Sequence, residues 1–473
     1  MMRRTKIVAT LGPATENAGS VRALMEAGVD VFRLNFSHGV QEQKGELVRL
    51  IREAARHWHR AVAILGDLQG PKIRAGLMEN GALVLTTGSE VTITTQPVLG
   101  RGGVFATTYA GLPGDVRSGD RILLDDGNLE LTVLSVEGNE VRCRVEVGGV
   151  LRDRKGINLP GSRVSAPAVT EKDRADLEFC VRHGVDFIGQ SFVRRAADVR
   201  ELKTLLKGLD ASIPIVAKIE KPQALEDFDA ILAETDAVMV ARGDLGVEMN
   251  PEKIPLIQKR IIHSCNRAGK PVITATQMLE SMIGNPRPTR AETSDVANAI
   301  LDGSDAVMLS GETAVGKYPL EAVRMMGKVA DDVERDPMLR QHIFHPRFES
   351  DPECSLAEII ADAACEVAEN VGAAAILTFT QTGRTAALVA KYRPALPIFA
   401  VTPSEEVRRR LVLYRGVRSM QVATEGGTET QIAAVAHAAL ETGRLKVGDV
   451  VVIVMGSPVS AAGTTNLIKV QKL

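Results

Sequence analysis

Residues Ile213–Gly246 read IPIVAKIEKPQALEDFDAILAETDAVMVARGDLG, and two apolar runs in this stretch each lead directly into charge. The first run, Ile213–Ile219, ends in Lys218-Ile219-Glu220, and the second, Ala237–Ala241, ends in Arg242-Gly243-Asp244. A helical pattern connects them. The stretch therefore predicts a strand, a helix and a second strand, which is the unit of parallel α/β folds.

The charged ends of these two strands indicate a common site. Because side chains alternate across a strand, Lys218 and Glu220 lie on the same side. Two successive parallel strands bring Glu220 and Asp244 together at their carboxyl ends. Two carboxylates suit a divalent cation such as Mg²⁺, and a lysine beside them suits an anionic substrate. The alternative is a surface salt-bridge cluster, although charge at the mouth of a parallel barrel usually belongs to a site.

The strand–helix unit recurs from Met1 to about residue 340. Helix-period segments separate the apolar runs, and several of these segments end in glycine, as helix C-termini often do. Eight such units favour a (β/α)₈ TIM barrel over an open sheet. The runs are Lys6–Thr10, Val29–Leu34, Ala61–Gly66, Phe187–Phe192, Ile213–Ile219, Ala237–Ala241, Val272–Ala275 and Ala306–Leu309.

Residues 71–166 interrupt this repeat after the third run. Short β-rich runs such as Leu129–Val136 and Glu140–Val147 alternate with glycine turns such as Asp126-Gly127-Asn128, a pattern typical of hairpins. We predict a small all-β domain inserted at the barrel mouth, where it would act as a lid over the substrate. The alternative is an added domain with no role at the site.

A second α/β pattern follows the barrel. The polar, proline-containing segment near Asp331–Pro352 predicts a linker, and a smaller open α/β domain begins with a helix over Leu356–Asn370. We expect a catalytic TIM barrel over residues 1–70 and 167–345, an inserted β-barrel lid domain over 71–166 and a C-terminal α/β regulatory domain over 353–473. The strands predicted for that last domain are Ala374–Phe379, Ile398–Val401, Val417–Val422, Val450–Met455 and Leu467–Val470.

Composition narrows the class of protein. The 473 residues carry a formal net charge of −2 and 3% aromatic residues, so neither charge nor base stacking favours nucleic acid as a partner. The five cysteines form no CxxC motif, which is typical of a reduced chain. No stretch approaches a membrane span, and the first residues lack the apolar core of a signal peptide. We expect a cytoplasmic protein with no membrane partner.

Polar motifs follow several other predicted strands. RLNFSHG (33–39) follows the second strand, GDLQGPKIR (66–74) the third, TATQM (274–278) the seventh and SGET (310–313) the eighth. Arginine forks match phosphate or carboxylate groups, and Mg²⁺ between carboxylates and phosphate completes a phosphoryl-transfer site. Composition alone leaves a kinase and a metal-dependent enolising lyase both open.

Ten segments in register along essentially the whole chain resemble pyruvate kinase. The resemblance implies a Mg²⁺- or Mn²⁺-dependent enzyme that transfers the phosphoryl group of phosphoenolpyruvate to ADP, giving pyruvate and ATP in the final step of glycolysis. It also implies a homotetramer. The segments are RRTKIVATLGPA, RLNFSHG, GDLQGPKIR, KGINLPG, AKIEKP, ARGDLGVE, TATQMLESM, PRPTRAE, SDVANAILDGSDAVMLSGETAVGKYPLEAV and FAVTP.

Two alternatives to this enzyme are another barrel enzyme acting on phosphoenolpyruvate or an enolate, and a catalytically degenerate regulator that binds a phosphometabolite. The inserted β domain and its Lys155 favour a nucleotide, against the first alternative. A degenerate copy would be expected to lose at least one of four residues, all present here: Lys218, Glu220, Asp244 and Thr276.

The resemblance, carried over residue by residue, implies how the phosphoryl group is held. Glu220 and Asp244 correspond to the Mg²⁺ ligands. Lys218 corresponds to the catalytic residue that faces the transferring phosphoryl group, and Arg33 binds the same phosphate. These roles agree with the need to neutralise charge on the equatorial oxygens of the phosphoryl group.

The resemblance implies further binding roles. The backbone amides of Gly243 and Asp244 take the substrate carboxylate, consistent with anion binding by exposed N–H groups. Thr276 binds the substrate and helps to relay a proton to the enolate carbon. The residues that correspond to the nucleotide-phosphate site are His38, Arg74 and Lys155, although a structural role is the alternative for His38.

One position departs from the pattern of many pyruvate kinases. Members that need potassium carry glutamate at the position of Lys72 in GPKIR, together with a bound monovalent cation. The Lys72 ammonium replaces both and supplies positive charge without the ion. We therefore expect K⁺ not to be required, as in the potassium-independent branch, which DLQGPK resembles. The alternative is that Lys72 points away and K⁺ still binds. The corresponding potassium shell is Asn35, Ser37, Asp67 and the carbonyl of Leu68, which could also hydrogen-bond Lys72.

The segment Thr380-Gln381-Thr382-Gly383-Arg384-Thr385 follows a predicted strand and opens a helix. Hydroxyls, a glycine and a helix N-terminus can cradle a phosphate, and the segment resembles the family's effector site for phosphorylated sugars or nucleotides. We expect activation by a phosphorylated metabolite; a tight strand–helix turn is the alternative. Further along, Arg408-Arg409-Arg410 is expected to form a solvated helix face.

Overall fold

The computed structural model describes residues 3–162, 164–336, 354–422, 428–441, 443–456 and 464–473. Its largest unit is a closed barrel of eight parallel strands, which confirms the predicted TIM barrel. Numbered along the whole chain, these strands are β1 (Lys6–Leu11), β2 (Val31–Asn35), β3 (Ala63–Asp67), β12 (Phe187–Gln190), β13 (Ile215–Ile219), β14 (Ala237–Ala241), β15 (Val272–Ala275) and β16 (Ala306–Leu309). They follow one another around the barrel in this order, and β16 closes onto β1.

The two strands predicted from residues 213–246 are neighbours in the barrel. β13 and β14 pair in parallel, with Lys218 opposite Met239 and Ile219 opposite Val240. Every residue of both strands is buried, because helices cover the outer face of a barrel and side chains fill its interior. Polar side chains therefore reach solvent only where the strands end.

Helices around the barrel return the chain from one strand to the next. Helix α4 (Glu171–Arg182) begins with a capping box formed by Thr170 and Asp173, which satisfies two of the unpaired N–H groups of the first turn. None of the helices among the described residues combines the length and apolarity needed to cross a membrane. The others are α1 (Ala18–Ala27), α2 (Gln41–His57), α5 (Ala196–Gly208), α6 (Pro222–Glu226), α7 (Phe228–Glu234), α8 (Arg242–Glu248), α9 (Ile254–Ala268), α10 (Arg290–Leu301), α11 (Gly311–Ala314) and α12 (Pro319–Arg335), with 3₁₀ turns at Pro251–Lys253 and Glu280–Ile283.

An all-β unit separates β3 from α4, as predicted. It contains β4 (Ala82–Leu85), β5 (Glu90–Thr94), β6 (Val104–Ala106), β7 (Arg121–Leu124), β8 (Leu129–Glu137), β9 (Glu140–Val147), β10 (Gly149–Arg152), β11 (Ile157–Asn158), the short helix α3 (Leu112–Asp115) and a 3₁₀ turn at Glu79–Gly81. Six strands form a sheet in the order β11-β7-β8-β9-β5-β6, and β4 pairs with β10. The unit has its own hydrophobic core, in which Phe105, Leu131 and Val145 are fully buried.

The C-terminal unit is an open α/β sheet, which also agrees with the predicted fold class. It contains α13 (Leu356–Asn370), β17 (Ala375–Phe379), α14 (Arg384–Lys391), β18 (Ile398–Thr402), α15 (Glu405–Arg410), a 3₁₀ turn at Leu411–Leu413, β19 (Val417–Gln421), α16 (Thr428–Glu441), β20 (Val450–Met455) and β21 (Leu467–Lys472). The strand order is β19-β18-β17-β20-β21, and the β20–β21 pair is antiparallel.

Two predictions made for the C-terminal half need correction. The linker expected near Asp331–Pro352 is wrong at its start, because α12 continues to Arg335, and residues 337–353 lie outside the described part of the chain. The solvated face expected at Arg408-Arg409-Arg410 is also wrong. These side chains bind the amino-terminal end of the barrel, where Arg408 donates to the carbonyl of His59 at 3.0 Å and Arg409 donates to Asp186 at 2.7 Å.

Candidate active site

Lys218 is the centre of a buried charge network at the carboxyl end of the barrel. Its ammonium lies 3.1 Å from Oδ1 of Asp67 and 2.9 Å from Oε1 of Glu220, and it donates to Oγ of Ser191 at 2.7 Å. These three acceptors match the three N–H donors of an ammonium. The Lys218 side chain is only 9% exposed, so protein contacts rather than solvent fix its position.

Arg33 extends this network from the end of β2. Its Nε donates to Oδ2 of Asp67 at 2.7 Å, and its Nη1 donates to Oγ1 of Thr10 at 3.1 Å. Asp67 is itself buried at the end of β3 and therefore connects Arg33 with Lys218. The structure thus brings together the two cations that sequence analysis assigned to the phosphoryl group.

Burial and charge act in opposite directions on the pKa values of this network. Burial alone would raise the pKa of the Asp67 carboxyl, but the charges of Lys218 and Arg33 outweigh it and hold that pKa below its usual range. Burial would lower the pKa of the Lys218 ammonium, but Asp67 and Glu220 outweigh it and raise that pKa. Lys218 is therefore a permanent cation at neutral pH, which suits contact with a phosphoryl group.

The Asp244 carboxylate is close enough for its charge to affect the Glu220 carboxyl. Burial raises the pKa of the Glu220 carboxyl, Lys218 opposes this effect, and the Asp244 charge adds to it. Oε2 of Glu220 also accepts a hydrogen bond from the Phe192 N–H at 2.7 Å. Asp244 is half-buried in the first turn of α8.

This pair of carboxylates can hold Mg²⁺. No cluster of three or more His, Cys, Asp or Glu side chains suited to a metal ion occurs in the described residues. Mg²⁺ does not need such a cluster, because it keeps several waters and is commonly held by one or two carboxylates together with oxygens of the substrate. The donor set of Glu220 and Asp244 therefore fits the predicted ion.

Thr276 lies against the start of α8, directly after β15. Its Oγ1 accepts a hydrogen bond from the Gly243 N–H at 2.7 Å and donates to the Ala275 carbonyl at 2.6 Å. Thr276 has a φ of +68° and Gln277 a φ of +54°, and a β-branched residue rarely adopts this left-handed conformation. The structure brings together Thr276 and Gly243, two residues to which sequence analysis assigned substrate contacts.

Of the three residues predicted for the nucleotide phosphates, His38 and Arg74 lie near each other, and Lys155 is paired elsewhere. Burial lowers the pKa of the His38 imidazole, and the positive charges of Arg74 and Lys72 lower it further, so these cations are neighbours. The Lys155 ammonium instead pairs with Asp125 within the insertion at 2.7 Å. Between the insertion and the barrel lies a cleft lined by Lys72, Asn158, Phe192, Arg194, Lys221 and Asp244.

Two groups of the predicted potassium shell already accept hydrogen bonds from the protein. Oδ1 of Asn35 accepts from the Ser37 N–H at 3.0 Å. The Leu68 carbonyl accepts from Oγ of Ser191 at 2.7 Å. One acceptor direction at each group is therefore used before any ion binds.

Asp67 is a further predicted residue of this shell, beside Ser37, and Lys72 is the predicted replacement for the ion. Both carboxylate oxygens of Asp67 face cations, since Oδ2 contacts Arg33 and Oδ1 contacts Lys218. Lys72 lines the cleft between the insertion and the barrel. The positive charge beside Asp67 thus comes from Arg33 and Lys218, and Lys72 adds charge on the cleft side.

Sequence reasoning missed Ser191, which both supports Lys218 and contacts the Leu68 carbonyl. Strand β12 ends at Gln190, which lies opposite Ala217 of β13. Ser191 is therefore level with Lys218 at the barrel mouth. The available signal was a hydroxyl residue directly after a buried strand, whereas Lys218 and Glu220 were identified by charge at the end of a strand.

The predicted effector segment forms a turn between β17 and α14. Oγ1 of Thr380 accepts from the Gly383 N–H at 2.9 Å, and Gly383 has a φ of +92°, which glycine adopts without strain. Oγ1 of Thr385 lies 2.9 Å from Oγ1 of Thr465. Thr382 and Arg384 are exposed, so their side chains are accessible to a ligand.

The fold and this site define an enzyme of the (β/α)₈-barrel class, with charged groups at the carboxyl ends of its strands. The family model described as "Pyruvate kinase, barrel domain" matches residues 2–323, and the model described as "Pyruvate kinase, alpha/beta domain" matches residues 358–471. The chain belongs to the pyruvate kinase family, whose members are transferases of glycolysis and generally use a divalent metal.

Similar proteins cover nearly the whole chain. The pyruvate kinase of Geobacillus stearothermophilus is 50% identical over 473 residues, which span 99% of this chain and 80% of that protein. The pyruvate kinase of Mycobacterium tuberculosis (strain CDC 1551 / Oshkosh) is 47% identical over 474 residues, which span 100% of this chain and 99% of that protein. A crystal structure of a pyruvate kinase from Cryptosporidium parvum has a TM-score of 0.91 at 40% identity and covers 99% of this chain and 96% of that chain.

Proposed function

We propose that this chain transfers the phosphoryl group of phosphoenolpyruvate to ADP, giving pyruvate and ATP. The observation that carries the proposal is the Lys218 ammonium, held by Asp67 and Glu220 beside Arg33. Family membership favours this reaction over the enolising lyase that composition left open. The complete site argues against a degenerate regulator.

In the proposed reaction, the phosphorus–oxygen bond of phosphoenolpyruvate breaks and the phosphoryl group passes to the terminal phosphate of ADP. Lys218 and Arg33 neutralise charge on the transferring oxygens, where preorganised cations are most effective. Mg²⁺ bound by Glu220 and Asp244 would supply further positive charge for the phosphoryl group and the enolate oxygen. Thr276 binds the substrate and helps to deliver the proton that converts the enolate into pyruvate.

The remaining assignments concern ligand binding. N–H groups in the first turn of α8 have no intrahelical acceptor, so Gly243 and Asp244 can receive the substrate carboxylate. For Gly243 this requires the present contact with Thr276 to be exchanged or shared. Nucleotide phosphates would bind at His38, Arg74 and Lys155. Closure of the β insertion would carry Lys155 towards the barrel, where its ammonium would exchange Asp125 for a nucleotide phosphate.

We further propose that turnover does not need K⁺, because Lys72 adds a fixed cation near the mouth. The test is pyruvate formation from phosphoenolpyruvate and ADP with Mg²⁺, first free of sodium and potassium and then with K⁺ added. Equal turnover in both supports the proposal, activity only with K⁺ overturns the Lys72 role, and no activity in either overturns the kinase function. The variant Lys72→Glu should become dependent on K⁺, whereas exposed Lys207→Glu on α5 should not.

The regulatory proposal is activation by a phosphorylated metabolite bound at Thr380–Thr385, in a cytoplasmic homotetramer. Phosphoenolpyruvate saturation curves across a panel of sugar phosphates and AMP provide the test. An activator should lower the KM for phosphoenolpyruvate, and Arg384→Ala should abolish this effect while exposed Lys446→Ala keeps it. Curves that no compound changes would contradict the proposal, and mass measurement in solution tests the tetramer.

A further inference from the structure

The turn after β15 is held in an unfavourable backbone conformation. Thr276 and Gln277 both have positive φ values, +68° and +54°, although neither is glycine. Left-handed conformations of such residues persist only where surrounding contacts fix them, and they concentrate at functional sites. Some neighbouring group must therefore stabilise this turn.

The side chain of Arg242, the first residue of α8, makes those contacts. Its Nη2 donates to the Thr276 carbonyl at 2.8 Å, and its Nε donates to the Ala275 carbonyl at 3.3 Å. Nη2 also lies 2.7 Å from Sδ of Met278. One guanidinium thus contacts three of the four residues from 275 to 278.

The guanidinium is itself anchored from the outside of the barrel. Nη1 lies 2.8 Å and 2.7 Å from the two carboxylate oxygens of Asp295 on α10, and 3.4 Å from Oε1 of Gln258 on α9. The Arg242 side chain is 10% exposed, so its planar fork is held in one orientation. A lysine could not make this set of contacts, because an ammonium is a point charge without the fork geometry.

Arg242 and its neighbour Gly243 hold Thr276 at two different atoms. The Arg242 side chain binds the Thr276 carbonyl, and the Gly243 N–H binds the Thr276 hydroxyl at 2.7 Å. The contact at the carbonyl holds the backbone of the turn, and the contact at the hydroxyl holds the side-chain rotamer of Thr276. The position of the Thr276 hydroxyl therefore also depends on the Arg242 guanidinium, which holds the backbone that carries it.

We propose that Arg242 is a positioning residue for the reaction, which holds the turn so that the Thr276 hydroxyl meets the substrate. The inference depends on the proposed function, because it requires Thr276 to act on phosphoenolpyruvate. It adds to that function a residue on the outer side of the mouth and its anchor, Asp295. Loss of the fork would free the turn to relax and would displace the hydroxyl.

The test compares Arg242→Met with Arg52→Met. Arg52 is the matched control, because it also contacts two carbonyls and one aspartate, those of Val62, Gly184 and Asp186, but at the amino-terminal end of the barrel. A displacement of about 1 Å costs roughly 100-fold. We therefore expect Arg242→Met to lower kcat about 100-fold and to raise the KM for phosphoenolpyruvate, with the KM for ADP nearly unchanged. Arg52→Met should lower thermal stability but keep kcat.

Two further measurements and two further variants separate positioning from loss of folding. Circular dichroism during heating gives the folded fraction of each variant. Exchange of the pyruvate methyl protons in D₂O, followed by NMR, reports proton transfer at the carbon and should slow with kcat in Arg242→Met. Asp295→Asn keeps the Arg242–carbonyl contacts, so it should show a weaker form of the same kinetic change, and Arg242→Lys should recover less than tenfold.

A folded Arg242→Met enzyme with wild-type kcat and methyl exchange would overturn the inference and leave the proposed function intact. An equal loss of kcat in Arg52→Met would also overturn it, because the effect would then be one of stability. If Arg242→Met does not fold, an unchanged kcat in folded Asp295→Asn has the same consequence. A wild-type enzyme without pyruvate formation would instead overturn the proposed function, and with it this inference.

Discussion

Replacement of Asp186 by asparagine should weaken the attachment of the C-terminal unit to the barrel. Asp186 is 1% exposed and lies just before β12. Its carboxylate pairs with Arg52 of the barrel at 2.7 Å and with Arg409 of the C-terminal unit at 2.7 Å. It also accepts from the Ile64 N–H at 2.7 Å. Asp186→Asn keeps the shape of the side chain but leaves two guanidinium groups without their shared anion.

The magnitude follows from burial of the three side chains. Removing one partner of a fully buried ion pair costs about 3–5 kcal/mol. The Arg52 and Arg409 side chains are 17% and 20% exposed, so water compensates part of the lost interaction, as it does for exposed pairs. We expect Asp186→Asn to lower the free energy of unfolding by roughly 2–4 kcal/mol.

Urea unfolding followed by circular dichroism measures this change, with Asp331→Asn as the control. Asp331 belongs to a 3.8 Å ion pair with Arg335 and its side chain is 35% exposed, so its replacement should cost less than about 1 kcal/mol. A double-mutant cycle of Asp186→Asn with Arg409→Met should show coupling of at least about 1 kcal/mol. Wild-type stability in Asp186→Asn, or additive effects in the cycle, would refute the reasoning.

Three other predictions concern the site and the capping of α13. Lys218→Met should lower kcat by about 10²–10³-fold in steady-state assays, because a preorganised charge at the phosphoryl group is lost; full turnover would contradict the assigned role. Asn158→Ala removes the 2.8 Å hydrogen bond from the insertion to buried Glu248 and should raise the KM for ADP several-fold. An unchanged KM would count against a role of this hydrogen bond in closure of the insertion. Burial would raise the pKa of Glu358, but the Lys391 hydrogen bond and the contacts at the helix start lower it to about 2. Because solvent screening reduces the stability that this shift represents, Glu358→Gln should lower stability by about 2 kcal/mol. The loss should be present above pH 4.5 and disappear as the pH falls towards 2, which thermal unfolding of both proteins from pH 7 to pH 2 measures.

The barrel was predictable because its strands are apolar along their whole length and end in charge. Predicted and observed limits agree for Ala237–Ala241, Val272–Ala275 and Ala306–Leu309. The second run was predicted from Val29, whereas β2 begins at Val31. Val29 is fully buried but donates its N–H to the Leu24 carbonyl at the end of α1. Hydrophobicity reports burial, and it does not separate a buried loop residue from a strand residue.

Site residues could be found from sequence where a local pattern places them together, and not where their contact depends on the packing of distant elements. Lys218 and Glu220 were found because the period of two in a single strand places them on one side. Arg242 and Asp295 are 53 positions apart, and their contact depends on how α8 and α10 pack. A local pattern contains no information about that packing.

Arg409 shows most clearly that a local sequence pattern does not reveal whether a charged side chain is buried. Three consecutive arginines on a short helix have the pattern of a solvated face, and the same pattern serves to dock one domain on another when the facing surface offers carboxylates and carbonyls. The deciding partner, Asp186, lies 223 positions earlier in the chain. A charged residue can thus be classified as exposed or buried from sequence only where its partners are local, and the Asp186→Asn cycle tests this case directly.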